Sequence, residues 1–288
     1  MDRNVLYDAM MGLAVGDALG VPYEFMPRDH FRVDGMTGYG THGQPKGTWS
    51  DDTSLALATL ESLRRLGKID LADMMRNFSS WLYDASFTAH GDVFDVGGTT
   101  YRAIAKYHRT KNVRTCGEGS ASSNGNGSLM RILPLAFVPH TAMDVYGVSA
   151  LTHAHDTSVL CCRHYLDVAA RLLRGEDKTS AVRSLDDCDG VFIRLPMIDS
   201  YPREKIKSTG YVLDTLEAAL WCLLKTESYR DCVVTAVELG DDTDTVAAVA
   251  GGLAGIYYGV GGERGIPEEW IGALARKDWI AELCGVPS

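Results

Sequence analysis

Apolar residues recur every three to four positions along most of this chain, at roughly 4 to 19, 53 to 66, 71 to 83, 98 to 108, 144 to 151, 158 to 174, 211 to 226, 229 to 239 and 243 to 258. That spacing places them on one face of an α-helix, and the alternation that marks a half-buried strand is scarce. The expectation is an all-α fold, a compact orthogonal helical bundle forming one domain over residues 1–288. Asp70 and Asp144 stand where N-caps would, and Gly67 and Gly175 follow apolar segments as C-terminal stops. Gly12, Gly16 and Gly20 share one face of the first helix, as Gly251 and Gly255 do in the late one. Glycine costs about 1 kcal/mol in a helix interior, so both stripes predict close helix packing.

Of the 288 residues, 45% are hydrophobic, enough to build a core and to exclude disorder as the main state. The formal net charge of -10 argues against a general nucleic-acid binder, whose affinity comes from Lys and Arg on phosphates. The N-terminal segment carries Asp2, Asp8 and Asp17 and lacks the basic and uninterrupted apolar regions of a signal peptide. The longest apolar stretch, VAAVAGGLAGIYYGVGG from Val246, is glycine-rich and short for a membrane span, and reads as a buried helix. Seven cysteines, with Cys161 and Cys162 adjacent and no CxxC, suggest neither a disulfide framework nor a zinc ribbon. A cytoplasmic protein without membrane or nucleic-acid partners is expected.

No tandem repeat of 20 to 50 residues is visible. The segments 26 to 48 and 110 to 127 are rich in Gly, Ser, Asn and Thr, and long loops in a compact helical protein tend to be functional. Both are candidate site walls. Asp51-Asp52-Thr53 opens one apolar helix, and Asp241-Asp242-Thr243-Asp244-Thr245 opens another far away in sequence. A cap needs one side chain, whereas adjacent carboxylates about 4 Å apart repel by roughly 4 kcal/mol at an effective dielectric near 20. Neither GTWSDDTSLALATL nor ELGDDTDTVAAVAGG contains Lys or Arg as counterion. Hard oxygen clusters suit Mg²⁺, Mn²⁺ or Ca²⁺ rather than zinc, and neither stretch fits an EF-hand loop. On spacing alone, helix capping and metal binding both stand.

Other motifs carry less. Ser128 lacks the glycines of a nucleophile elbow, and no Walker A loop is present. Asn124-Gly125-Asn126-Gly127-Ser128 reads either as a turn or as a loop whose amides approach a phosphate. His153 and His155 read as polar or hydrogen-bonding residues more readily than as a metal pair. Tyr211 and Trp221 read as core by default, although an aromatic that opens a helix after glycine can stack on a base.

Seven ordered stretches together are more specific than any one: GLAVGDALGVPYEF at 12 to 25, GTWSDDTSLAL at 47 to 57, FDVGGTT at 94 to 100, NGNGSLMRILPL at 124 to 135, LTHAH at 151 to 155, GYVLDTLEAALW at 210 to 221 and GDDTDTVAAVAGGLAG at 240 to 255. In these the chain resembles the ADP-ribosylglycohydrolase family over almost its whole length. The resemblance implies an all-helical fold and two divalent cations, Mg²⁺ or Mn²⁺, in a cleft. Ser50, Asp51 and Asp52 would supply one side of that centre, and Asp242, Asp244 and Thr245 the other. Ser50 stands where many relatives have Thr, keeping the hydroxyl, and Asp241 stands where relatives often have Gly, which places it outside the ligand set.

By the same resemblance the catalytic set is Glu24, Asp95 and Asp52, with Glu24 as acid/base and Asp95 steering the ribose or the leaving guanidinium. Substrate contacts would come from Asp95, Gly98, Asn124, Gly125, Asn126, Gly127, Ser128, Met130, His153 and Tyr211. In that set the 124 to 128 loop cradles the pyrophosphate and Tyr211 stacks on adenine. Serine-acting relatives diverge at Asp95, which favours ADP-ribosylarginine on a protein as substrate and ADP-ribose as product. The alternatives are serine-linked ADP-ribose or O-acetyl-ADP-ribose, which a substrate panel discriminates, and a noncatalytic binder. Completeness of Glu24, Asp51, Asp52, Asp242 and Asp244 speaks for an enzyme.

Overall fold

The computed structural model describes residues 4–185 and 190–286, so Asp2 and Cys188 lie outside the described residues. Among these residues twelve α-helices follow one another: α1 (Val5–Gly20), α2 (Asp51–Leu66), α3 (Leu71–Asp84), α4 (Gly98–Thr110), α5 (Ala142–Ala150), α6 (Asp156–Leu173), α7 (Lys178–Arg183), α8 (Val212–Lys225), α9 (Tyr229–Val237), α10 (Thr243–Tyr258), α11 (Glu268–Ala273) and α12 (Lys277–Leu283). Extended pairing is limited to isolated bridges, such as the one joining Gly125 to Tyr211, so the fold is all-α. The nine helices read from apolar spacing are all present. Helices α7, α11 and α12 were not expected; each has six or seven residues, too few to display a period.

Most caps follow the expected chemistry. The Asp70 side chain accepts from the Asp73 amide at 2.9 Å, and Gly67 closes α2 in the left-handed conformation. Asp144 is a correction: Thr141 caps α5, and Asp144 sits three residues in, its carboxylate accepting from the Thr141 amide at 2.8 Å. The pair forms a capping box, in which the acid satisfies the cap residue rather than the helix.

Helices α1 and α10 lie backbone to backbone through the centre of the molecule. A Cβ at Gly12 would strike the Gly251 carbonyl, at Gly16 the Ala247 carbonyl, and at Gly20 the Asp244 backbone. The glycine stripes are therefore the surface through which the two helices touch. Thr243 Oγ1 donates to the Gly20 carbonyl at 2.8 Å where the two helices meet, and Tyr229 Oη, from α9, donates to the Gly12 carbonyl at 2.6 Å in the middle of α1. The end of α1 and the start of α10 thus meet beside the start of α2. The segment Val5–Tyr23 is long and apolar enough to cross a membrane, but 83% of its window is buried in the fold, as befits a core helix.

Candidate active site

The two acid-rich helix starts converge. Ser50 caps α2, its Oγ accepting from the Asp52 amide at 3.3 Å and donating to Asp52 Oδ2 at 3.2 Å. Asp51 faces an open cavity, whereas Asp52 lies fully buried beneath it. From α10, Asp242 and Thr245 line the same cavity and Asp244 is fully buried behind them. Carboxylate oxygens of Asp17, Asp52 and Asp244 lie within 4.8 Å of one another, as do those of Glu24, Asp242 and Asp244. Asp241 is exposed and does not line the cavity.

This floor is electrostatically incomplete. Burial, followed by the neighbouring carboxylates, pushes Asp51, Asp52 and Asp244 well above the usual carboxylate range. Burial also raises Asp242, against hydrogen bonds from Thr245 and Asn126. Asp52 Oδ1, Asp242 Oδ1 and Asp244 Oδ2 are buried with no hydrogen-bond partner. Buried carboxylate oxygens without partners are costly, and hard cations with oxygen ligands are what such a set fits.

Asp17 is the residue that sequence reasoning missed. It projects from α1, fully buried, and accepts from the Ser50 amide at 2.9 Å, the Thr53 amide at 3.0 Å and Thr53 Oγ1 at 2.6 Å. Burial outweighs these bonds and lifts its carboxyl to about 6. Its signal was a second acid, after Asp8, in an otherwise apolar helix. Asp17 ties the cap of α2 to α1, so it sets where Asp51 and Asp52 stand.

Glu24 follows the last turn of α1, is buried, and lines the cavity. Burial lifts its carboxyl to about 7, partly opposed by its short hydrogen bond with His42 Nε2. His42 is held among the rings of Phe25 and Phe94, at 6.1 and 5.2 Å between centroids. Asp95 stands beside them, within 4.8 Å of the Glu24 and His42 ligand atoms, and burial raises its carboxyl too. Phe25, Asp95 and Asp241 all adopt left-handed φ, at 63°, 51° and 60°. For a bulky residue such as Phe25 this is a strained conformation. It is held by a reciprocal pair, Phe25 N–H to the Asp241 carbonyl at 2.7 Å and Asp241 N–H to the Met26 carbonyl at 3.0 Å.

The two long loops differ in their use. Residues 26–48 supply none of the cavity lining, so their reading as a wall is corrected: they brace the site. Arg28 donates to the carbonyls of Leu239, Arg203 and Ile206 at 2.8, 2.7 and 2.6 Å, which pins this loop to the approach to α10, and His42 reaches Glu24 from it. The second loop does form a wall through Gly125, Asn126 and Gly127. Asn126 Nδ2 donates to Asp242 Oδ2 at 2.9 Å and to Thr215 Oγ1 at 3.0 Å, linking wall and floor.

Of the other sequence candidates, Gly98, Met130 and His153 line the cavity, joined by Gly97, Thr99, Thr100, Phe25 and Gly210, which were not anticipated. Asn124 and Ser128 do not line it. Asn124 Oδ1 accepts from Ser158, and Ser128 Oγ accepts from Ser149 Oγ at 3.0 Å, so both side chains are spent inside the fold. His153 and His155 do not pair: His155 Nδ1 caps α6, while His153 is buried. Trp221 is core as expected, but Tyr211 is 41% exposed at the start of α8. The cavity holds about 260 Å³, just below the 300–1,000 Å³ common for small-molecule sites. A nucleotide-sized ligand must therefore extend over the rim, where Phe25 and Tyr211 stand exposed.

The helical fold is that of a known class. The chain belongs to the ADP-ribosylglycohydrolase family, whose profile matches residues 2–286. It is 36% identical to ADP-ribosylarginine hydrolase Tri1 of Pseudomonas putida (strain GB-1), over 96% of this chain and 75% of that protein. It is 33% identical to the ADP-ribosyl-(dinitrogen reductase) glycohydrolase of Rhodospirillum rubrum, over 93% of this chain and 90% of the relative. A solved structure described as an ADP-ribosylglycohydrolase-related protein complex superposes with a TM-score of 0.81 at 31% identity, covering 98% of this chain and 95% of that one.

Proposed function

We propose that this chain hydrolyses the N-glycosidic bond between ribose and an arginine guanidinium on ADP-ribosylated proteins, releasing ADP-ribose. The observation that carries this reading is the convergence of partnerless buried carboxylate oxygens from α2 and α10 on the floor of one cavity. Relatives named for hydrolysis of ADP-ribosylarginine and of ADP-ribosyl-dinitrogen reductase support it. Ser50, Asp51, Asp52, Asp242, Asp244 and Thr245 would hold two divalent cations, Mg²⁺ or Mn²⁺. When bound, such ions supply Lewis acidity toward oxygen and a template for hydroxyl groups.

The chain's own residues supply the rest. Glu24, a buried carboxyl on the cavity lining, is placed to protonate a leaving nitrogen or to accept a proton from water. The hydrogen bond to His42 holds that carboxyl at the cavity edge. Asp95, beside Glu24, offers a carboxylate to a guanidinium or to ribose hydroxyls. The Gly125 to Gly127 backbone lets a pyrophosphate approach where side chains would block it, and Tyr211 offers a ring to adenine at the rim. The single family match from 2 to 286 supports one domain.

The test is release of ADP-ribose from ADP-ribosylarginine by wild type, Asp51→Asn and Asp242→Asn with added Mg²⁺ or Mn²⁺. Loss in both variants is expected, and near-wild-type turnover in both would overturn the assignment. Adding serine-linked substrate with Asp95→Ala beside wild type reads the specificity: loss confined to the arginine substrate gives Asp95 its proposed role.

A further inference from the structure

Beneath the wall opposite the acids lies an arginine with no acidic partner. Arg131 is fully buried, stacked over the Phe78 ring at 4.8 Å, and forms no salt bridge among the described residues. Nη1 donates to the Val148 carbonyl at 3.2 Å and Nη2 to Thr152 Oγ1 at 2.7 Å. The same Thr152 oxygen lies 2.8 Å from Nδ1 of His153. The remaining ring nitrogen, Nε2, sits over Gly125 and Gly127: a Cβ built on either glycine would lie 3.4 or 3.5 Å from it. Both glycines and His153 line the cavity.

The donor count along this chain has one solution. A guanidinium only donates, so Thr152 Oγ1 accepts from Arg131. Thr152 is fully buried, and its hydroxyl proton has no acceptor other than His153 Nδ1 among the hydrogen bonds of the described residues. Were Nδ1 protonated, the threonine oxygen would face two donors and its own proton would be stranded, at the desolvation cost of an unmade buried hydrogen bond. Nδ1 must accept, and the ring proton must stand on Nε2, facing the cavity. The charge of Arg131 and near-complete burial both oppose a second proton, so the imidazole stays neutral. Backbone bonds on either side, Glu118 N–H to the Thr152 carbonyl and Ala154 N–H to the Glu118 carbonyl at 3.0 and 2.8 Å, hold the ring in place.

We infer that Arg131 and Thr152 are positioning residues that lock His153 as a neutral Nε2–H donor aimed at an oxygen of the bound substrate. Its use in substrate binding rests on the proposed function above; the tautomer does not. The relay makes His153 a hydrogen-bond donor that cannot act as a general base at neutral pH, dividing labour with Glu24 across the cavity.

The test uses the full chain. Long-range proton–nitrogen correlation spectra of the histidine rings at pH 7, with His153 assigned by the His153→Gln variant, should show His153 as the Nε2–H tautomer without ligand. Thr152→Val should lose that pure state and weaken ADP-ribose binding, read by calorimetry, about tenfold, the scale of one hydrogen bond. Thr152→Ser should restore both. An Nδ1–H or imidazolium signal in wild type would overturn the inference, as would a Thr152→Val protein that keeps both the tautomer and the affinity. The wild-type spectrum decides the tautomer even if Thr152→Val does not fold. A wild type showing Nε2–H but binding no ADP-ribose would uphold the relay and count against the proposed function.

Discussion

The two sides of the cavity solve burial of polar groups in opposite ways. On the floor, Asp52, Asp242 and Asp244 each leave a buried oxygen without a partner. On the wall, Arg131, Thr152, His153, Ser149 and Ser128 are joined by an internal hydrogen-bond chain that leaves the buried Arg131 Nε without a partner. One side is a set of acids short of counter-charge, and the other is tied together mostly by its own hydrogen bonds. The difference separates a surface that would gain stability on binding cations from one that would present a fixed donor whatever is bound.

The largest test of this contrast is to neutralise the floor. Asp52→Asn and Asp244→Asn should each lower release of ADP-ribose by roughly three orders of magnitude. In chelator, thermal melts should instead show both variants more stable than wild type by about 1–2 kcal/mol, because like charges have been removed. Millimolar Mg²⁺ should raise the melting temperature of wild type more than that of either variant; equal shifts would mean the floor does not hold the ion.

Asp17 belongs to the floor by place and to the wall by logic, since its bonds are internal. Asp17→Ala strands two amides and a hydroxyl at the start of α2, and urea melts should show a loss of about 3 kcal/mol, with or without Mg²⁺. A loss that vanishes in chelator would assign Asp17 to the ion instead.

The wall should reveal itself in pH dependence. Burial, then the charge of Arg131, depresses the His153 imidazole to about 3. Unfolded chains bind a proton on this ring below about pH 6.5, and the folded one does not. Stability from this group is full above about 6.5 and declines as pH falls toward 3, reaching a loss of about 2 kcal/mol at pH 5. His153→Gln should flatten that limb in parallel melts; an unchanged slope would place the acid sensitivity elsewhere. The smallest effect sets the scale: Thr141→Ala, in a capping box remote from both sides, should cost about 1 kcal/mol and leave turnover alone.

How much of this was legible beforehand follows from what each feature needs. Long amphipathic helices and the glycine stripes announce themselves by period, and the excess of acids over any capping need marked both halves of the floor. Asp17 was invisible because its meaning depends on the start of α2, thirty-odd positions away, and His42 because a loop histidine has no periodic context. Asn124 and Ser128 sat in the right motif, yet their side chains face Ser158 and Ser149, a direction that composition does not encode. Thr141 was overlooked for Asp144 because a capping box puts acid and cap three residues apart.

The glycine contact of α1 with α10 has a bearing beyond packing. Where helices meet through backbone atoms there is no side chain to repack, so an added methyl must move a whole helix. Glu24 follows the end of α1, and Asp242 and Asp244 open α10, side by side at one end of this antiparallel pair and indexed to each other like teeth on a rack. A change at Gly12 or Gly16, turns away from any ligand, would reach the floor as misalignment rather than as lost stability alone. The positions least free to vary in this protein thus include ones that never touch a substrate.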